Sequence, residues 1–168
     1  MGLKTASHLA DKRSVEIPSP PHIAGRVNYL TFRVARQDFI MESARVRALI
    51  PPHRLTLLDA PHGWLTGFAT VSGRDLPVVD LRTKLGLAPG SLGRQPIIVV
   101  ADAGQGRLVG FVADCVSELV TLREREIKKG IVRFNGRARR LLDPWTILTE
   151  DDFVQMPFLH MFSPLATL

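Results

Sequence analysis

Few side chains in this chain of 168 residues have the type and spacing that catalysis needs. Asp80 and Asp114 each follow an apolar segment, as a pair of acid–base carboxylates would. Helix capping and turn formation are commoner roles for such aspartates, and we expect those roles here. The single thiol, Cys115, continues an apolar run with no histidine nearby, which indicates a small buried hydrophobe and not a nucleophile. One cysteine cannot form an internal disulfide, which is typical of a reducing compartment.

Metal and nucleotide sites have weak support in the sequence. His53, Asp59 and His62 would together suit a metal-dependent hydrolase, but all three lie close to prolines in expected loops, and no HExxH pair occurs. Gly104 and Gly106 lack the third glycine and the following helix of a dinucleotide-binding motif. We therefore predict no catalytic residues, no metal, no cofactor and no enzymatic activity, and we expect a binding or scaffolding module.

The net positive charge of the chain comes from one segment. From Arg123 to Arg140 there are eight basic and two acidic residues, which accounts for the whole net charge of +6. This segment is a polyanion site, a docking face for an acidic protein or a solvated surface. A basic β-barrel that binds nucleic acid is the alternative function, but such modules usually add aromatic stacking residues, and only Phe134 is available.

Short strands dominate the expected secondary structure. Residues 27–34 alternate apolar and polar side chains, which predicts a half-buried strand with a return strand at 39–41. Two further hairpins are expected, with connections at 72–75 and 102–106. Helical signals are short: a stretch within residues 44–49, a helix at 80–86 capped by Asp80, and a helix that begins at Asp143. Many strands with few helices predict a mainly β fold of small barrels.

The two ends of the chain differ from its centre. Residues 1–25 carry a proline cluster and no periodicity, which predicts a disordered or extended arm before a domain at 26–150. The tail at 151–168 is too apolar to be free, so we expect it to pack on the domain; masking of a partner groove or self-association is the alternative. With no secretion signal and no long apolar run, we expect a cytoplasmic protein without membrane insertion.

Four segments in order resemble the CheW-like family of chemotaxis coupling proteins. They are YLTF at 29–32, WLTG at 64–67, LPVVDLRTKLGL at 76–87 and VGFVADCVSEL at 109–119. The resemblance covers about residues 26–150. It implies two small five-stranded, SH3-like β-barrel lobes that share a hydrophobic core. It also implies a non-enzymatic adaptor between the cytoplasmic tip of a chemoreceptor and the regulatory domain of a CheA-type histidine kinase.

The same resemblance implies the partner-binding positions. Val46 falls where the family has a receptor-facing apolar residue, and Gly67 falls at a glycine important for that surface. A groove lined by Val46 would accept the apolar face of a receptor helical hairpin. Ser72 replaces the arginine that the family uses in partner contact, with Arg74 two residues on, and Ala48 replaces a common glutamate. The partner surface is therefore expected to be divergent.

One segment is shorter than its family counterpart. Residues 127–136 are fewer than the usual loop between the flanking segments, and the basic residues concentrate around them. The resemblance therefore implies that the second lobe loses part of a strand or loop there.

Overall fold

The fold consists of strands with a few short helices, as the sequence predicts. The computed structural model describes residues 24–91 and 93–156, and for residues 59–62 the backbone alone. The strands there are β1 Val27–Val34, β2 Gln37–Glu42, β3 Val46–Ile50, β4 Leu55–His62, β5 Leu65–Val71, β6 Arg74–Val79, β7 Ile97–Asp102, β8 Leu108–Ala113, β9 Cys115–Leu122, β10 Ile131–Phe134 and β11 Arg137–Leu141. The helices are α1 Leu81–Lys84, α2 Pro144–Ile147 and α3 Glu150–Gln155.

These strands form two sheets, one in each lobe. A five-stranded sheet has the order β10-β11-β2-β1-β9, and a six-stranded sheet has the order β3-β7-β8-β6-β5-β4. Neighbouring strands are antiparallel except for the pairs β2–β11 and β6–β8. The five-stranded sheet combines the start and the end of the domain, because β1 pairs with β9 and β2 pairs with β11. All strands of the six-stranded sheet lie between them in the sequence.

The two lobes share one hydrophobic core, as the resemblance implied. Phe32 and Phe39 of the five-stranded sheet stack with ring centroids 5.7 Å apart. They belong to the same buried cluster as Val99 and Phe111 of the six-stranded sheet. A second cluster lies within the six-stranded lobe and a third within the five-stranded lobe. Burial of this shared apolar surface removes it from water and holds the lobes together.

Strand β1 is buried on both faces, whereas the sequence predicted a half-buried strand. Leu30, Phe32 and Val34 lie in the shared core. On the opposite face, Tyr29 packs in the third cluster with Ile40, Leu122 and Val132. The alternation in the sequence is therefore real, but the second face is also covered, because Leu122 and Val132 are brought over it from the far end of the domain.

Several local predictions are confirmed and two need correction. Asp80 and Asp143 cap α1 and α2, each accepting a hydrogen bond of 2.9 Å from the N–H two residues on. Residues 44–49 are not a helix: a 3-10 turn at Ser43–Arg45 leads into β3, which pairs with β7. The connection expected at 72–75 is only the two residues Ser72 and Gly73, both at positive φ, because Arg74 already pairs with Val71.

The shorter segment at 127–136 does not remove a strand. It contains β10, and the five-stranded sheet keeps five strands. Asn135 and Gly136 are both at positive φ and close the β10–β11 hairpin directly. Arg139 lies across this hairpin with its guanidinium 3.6 Å from the ring centroid of Phe134, and it donates a hydrogen bond of 2.9 Å to the Phe134 carbonyl. A two-residue turn thus joins β10 and β11.

The expected arm and tail lie largely outside the described residues. Of residues 1–25 only the last two are described, and of residues 151–168 only those up to 156. Within α3 and just after it, Phe153 and Met156 are buried in the shared core. The limits of arm, domain and tail therefore stay predictions. Across residues 24–91 and 93–156, no helix is long and apolar enough to cross a membrane.

Candidate partner-binding surface

Strand direction brings several loops to one end of the six-stranded sheet. Strands β6 and β8 are parallel, whereas β7 runs antiparallel to β8 and β3 runs antiparallel to β7. The starts of β3, β6 and β8 therefore lie at the same end as the last residue of β7. We call this surface, formed by residues 45–47, 72–74 and 102–108, the Val46 end.

Val46 contributes mainly to the core at this end. It lies opposite Ala101 in the β3–β7 pair, belongs to the shared core and is only 7% exposed. The exposed side chain beside it is Arg47, whose Nη2 lies 3.0 Å from Oδ2 of Asp102. A partner that reaches Val46 therefore also meets a guanidinium group.

The carboxylate of Asp102 links the 103–107 loop to Arg47 of β3. Its Oδ1 accepts a hydrogen bond of 2.8 Å from the Gly104 N–H, in addition to the pairing with Arg47. Burial by itself would raise the pKa of Asp102, but the hydrogen bonds from Arg47 and Gly104 outweigh it, so the pKa is lowered. The 103–107 loop is thereby fixed against β3.

Trp145 is an exposed aromatic residue at the Val46 end that the sequence analysis did not single out as a site. Its side chain is 49% exposed, and the guanidinium carbon of Arg45 lies 3.8 Å from its ring centroid. A Cβ built on Gly104 would lie 3.7 Å from the indole, so the 103–107 loop runs closely along the ring. Its position in the sequence could have indicated an exposed tryptophan. Trp145 directly follows the Asp143-Pro144 helix start, and Ile147 of the same helix packs against the core.

Ser72 and Arg74 also lie at the Val46 end and are exposed. Ser72 has a φ of 50° in the β5–β6 turn. Among the described residues, no hydrogen bond or ion pair engages the Arg74 side chain, whereas the neighbouring Asp75 accepts from the Thr70 hydroxyl. Val46, Ser72 and Arg74 therefore lie toward the same end of the sheet, with the turn at Ser72 several residues beyond the row of Val46.

Gly67 lies in the middle of β5, in a row of paired residues that runs through Val78, Gly110 and Val100 to Ala48, next to the row of Val46. It pairs with Leu57 and Val78, and a Cβ at this position would lie 2.0 Å from the backbone oxygen of Thr56. The glycine is required for β4 to approach β5. Leu57 of β4 is 66% exposed, so an apolar side chain faces solvent beside this close contact.

Ala48 is buried among apolar side chains, which explains why the position suits alanine in this chain. It pairs with Val100 of β7 and belongs to the cluster inside the six-stranded lobe, with Ile98 and Val112. A glutamate at position 48 would bring a carboxylate into this cluster at a desolvation cost.

The candidate catalytic carboxylates are occupied by structural contacts. Asp80 caps α1, and Asp114 forms an ion pair with Arg82 and accepts a hydrogen bond of 2.8 Å from the Ala35 N–H. Cys115 is a free thiol that is partly and not fully buried. Of the proposed metal ligands, His53 is exposed, and the side chains of Asp59 and His62 lie outside the described ones. No cluster of three metal-ligating side chains occurs in the described part of the chain.

The basic segment divides into engaged and free cations. Arg139 covers one face of Phe134, Arg137 lies 3.6 Å from Asp38, and Arg140 donates to Gln37. The guanidinium on Phe134 occupies the ring face on which a nucleic-acid base would stack. Four other basic side chains are exposed and make no hydrogen bond or ion pair within the described structure: Arg125, Lys128, Lys129 and Arg133.

Comparison with known proteins identifies the relatives of this chain. A family model described as the CheW-like domain matches residues 28–161. A probable chemotaxis protein CheW of Rhizobium etli is 23% identical over 137 residues, which cover 73% of this chain and 88% of that protein. The chemotaxis proteins CheW of Rhizobium meliloti and Klebsiella aerogenes are 28% and 24% identical; the matches cover 59% and 60% of this chain, and 63% and 60% of those proteins.

A solved structure shows the same fold. The crystal structure of the scaffolding protein TtCheW from Thermoanaerobacter tengcongensis superposes with a TM-score of 0.68 at 14% identity, covering 81% of this chain and 96% of that one. The two-sheet arrangement of this chain is therefore a fold that TtCheW shares.

Proposed function

The chain belongs to the CheW-like family, and from that premise we propose that it is a non-enzymatic adaptor of a chemotaxis-type signalling pathway in the cytoplasm. It binds the cytoplasmic tip of a chemoreceptor and the regulatory domain of a CheA-type histidine kinase. Its relatives carry the names chemotaxis protein CheW and scaffolding protein, which supports this assignment.

The observation that carries the proposal is the composition of the Val46 end. Ser72 and Arg74 share this end with Val46 and with the half-exposed Trp145, which is stacked on Arg45. Tryptophan and arginine are the residues most often found at the energetic centres of protein interfaces. A rigid sheet end that presents both suits the apolar face of a receptor helical hairpin, with Trp145 as its anchor.

The kinase contact is assigned to a different part of the same lobe. Strand β4 is at the edge of the six-stranded sheet, and Leu57 on it is the most exposed large apolar side chain of either sheet among the described residues. An edge strand with an exposed leucine offers both backbone hydrogen bonds and apolar area to a β-rich partner domain. Two separate surfaces allow one adaptor to hold receptor and kinase together.

Binding of purified partners tests this assignment. The full chain is titrated with a soluble receptor-tip hairpin and, separately, with a kinase regulatory domain of its source organism, at low and high salt. We expect saturable binding to both partners that persists at high salt, since Trp145 and Leu57 supply apolar contact area at the two surfaces. Binding to neither partner, or association only with nucleic acid that is lost as salt rises, would overturn the proposal.

A further inference from the structure

A pocket opens in the five-stranded lobe, between β1, the end of β2 and the start of α2. Its volume is about 390 Å³, within the size range of small-ligand sites. The residues that line it are Tyr29, Glu42, Arg45, Glu124, Ile127, Gly130, Leu141, Leu142, Asp143 and Pro144. Of these, only Arg45 also belongs to the Val46 end, so the pocket is a separate feature of the surface.

Negative charge collects in this pocket although the chain as a whole is basic. Its wall carries three carboxylates, Glu42, Glu124 and Asp143, against the single cation Arg45. The Arg45 guanidinium is stacked on Trp145. In the described part of the chain, the carboxylates of Glu42 and Glu124 have no hydrogen-bond or ion-pair partner. Two unpartnered carboxylates at one concavity favour a cationic ligand.

The hydroxyl of Tyr29 opens onto the same pocket. The residue as a whole is only 5% exposed, but its hydroxyl oxygen is reached by solvent and makes no hydrogen bond within the described residues. Burial, followed by the charges of Glu42 and Glu124, raises the pKa of Tyr29, so the group stays a neutral phenol beside those two carboxylates. The hydroxyl therefore offers a free acceptor and donor to a bound group.

We propose that this pocket binds an organic cation, an ammonium or guanidinium group on a short aliphatic chain. Glu42 and Glu124 accept hydrogen bonds from the charged group, and the Tyr29 oxygen offers a further acceptor. Ile127, Leu142 and Pro144 supply apolar wall for the aliphatic part. A metal ion suits the pocket less well, since no three metal-ligating side chains converge among the described residues.

Two kinds of molecule could supply this cation. One is a free amine, and the other is a partner protein with a lysine or arginine side chain. Calorimetric titration of the full chain at low salt uses agmatine for the first source and the peptide acetyl-Gly-Arg-Gly-amide for the second. The peptide with citrulline in place of arginine has nearly the same shape without the charge. Binding of agmatine alone indicates a free amine, binding of the peptide indicates a side chain, and either supports the pocket.

Variants assign the binding to the pocket. We expect Glu42→Gln and Glu124→Gln each to weaken binding about tenfold, because each removes a charge-assisted hydrogen bond. Tyr29→Phe should weaken it by a smaller factor. Glu118→Gln is the matched control, because Glu118 is an exposed glutamate on β9 outside the pocket and its carboxylate has no partner in the described structure.

Three results would overturn the proposal: no binding of agmatine or the arginine peptide, equal binding of the citrulline peptide, or equal losses in Glu118→Gln and the pocket variants. Thermal unfolding of each variant checks that the fold is retained. The carboxylates of Glu42 and Glu124 make no hydrogen bond or ion pair among the described residues, so unchanged Tm values are expected.

Discussion

Arg82 and Asp114 form a largely buried ion pair where the two lobes meet. Arg82 lies in α1, directly after β6 of the six-stranded sheet, and Asp114 lies where the chain passes from β8 to β9 of the other sheet. The second oxygen of Asp114 accepts the Ala35 N–H in the β1–β2 turn. The Arg82 Nη2 makes the pair, whereas its buried Nε has no partner among the described residues.

Removal of the Arg82 charge should destabilise the fold more than removal of both charges. Arg82→Met leaves the partly buried Asp114 carboxylate without its cation, and we expect a loss of about 2–3 kcal/mol in the free energy of unfolding, below the range for fully buried pairs. Adding Asp114→Asn to that variant should recover part of the loss, because the amide oxygen still accepts the Ala35 N–H. Urea unfolding of the single and double variants measures both effects; strictly additive losses would show that the two side chains are not coupled.

Gly67→Ala should disturb the β4–β5 pair. The new Cβ would lie 2.0 Å from the Thr56 backbone oxygen, so one strand must move, at a cost of about 1–3 kcal/mol or more. Hydrogen exchange should quicken at the amides that join β4 and β5. Gly90→Ala is the matched control, since no atom lies within 4 Å of its Cβ position. Equal stability of the two variants would contradict the steric role of Gly67.

Asp152 should make stability depend on pH in the acid range. Burial alone would raise the pKa of Asp152, but hydrogen bonds from Lys84 Nζ at 2.6 Å and from Thr149 lower it on balance. Because the folded-state pKa lies below the unfolded value of about 3.9, the stabilisation is present above that pH and lost below it.

Asp152→Asn tests this link between α1 and α3. We expect it to lower the free energy of unfolding at pH 7 by about 1–3 kcal/mol and to flatten the fall in stability below about pH 4. Urea unfolding at several pH values measures both. Asp151→Asn removes the same charge from an exposed neighbour and should do neither; an acid profile unchanged by Asp152→Asn would assign the acid sensitivity elsewhere.

Trp145→Ala should weaken receptor-tip binding without much loss of stability. The indole is half exposed, so little core packing is lost, whereas a tryptophan anchor at an interface commonly contributes more than tenfold in affinity. Titration with the receptor-tip hairpin measures the effect. Leu119→Ala is the control, because Leu119 is an exposed apolar residue on β9 of the other lobe, and this change should leave affinity unchanged. Equal affinities of the two variants would show that Trp145 does not contact the receptor tip.

Ser72→Arg should change partner affinity if position 72 is a partner contact, as the family resemblance implies. The side chain is exposed in a two-residue turn, so the new guanidinium reaches solvent and partner alike. We expect a shift of about tenfold for the receptor tip or the kinase domain. Ser117→Arg, on exposed β9, controls for added charge. Unchanged affinity for both partners would show that position 72 does not set partner choice.

The structural features that the sequence predicted well are local or depend on segment order. Capping by Asp80 and Asp143 involves an N–H two residues away, so the side-chain type and its position are sufficient. The alternation in β1 identified the face that enters the shared core. The order of the four segments led to the family and its two-lobed fold.

The rest depended on contacts between distant parts of the chain. Position 46 begins a strand because β7, more than 50 residues later, supplies its hydrogen-bond partners. Tyr29 is buried because Leu122 and Val132 come to lie over it, and Arg45 meets Trp145 across 100 residues. Local side-chain preferences carry no information about such pairings. The sequence alone thus determined the family, the caps and one face of β1, whereas tertiary packing decided which residues share the Val46 end and the acidic pocket.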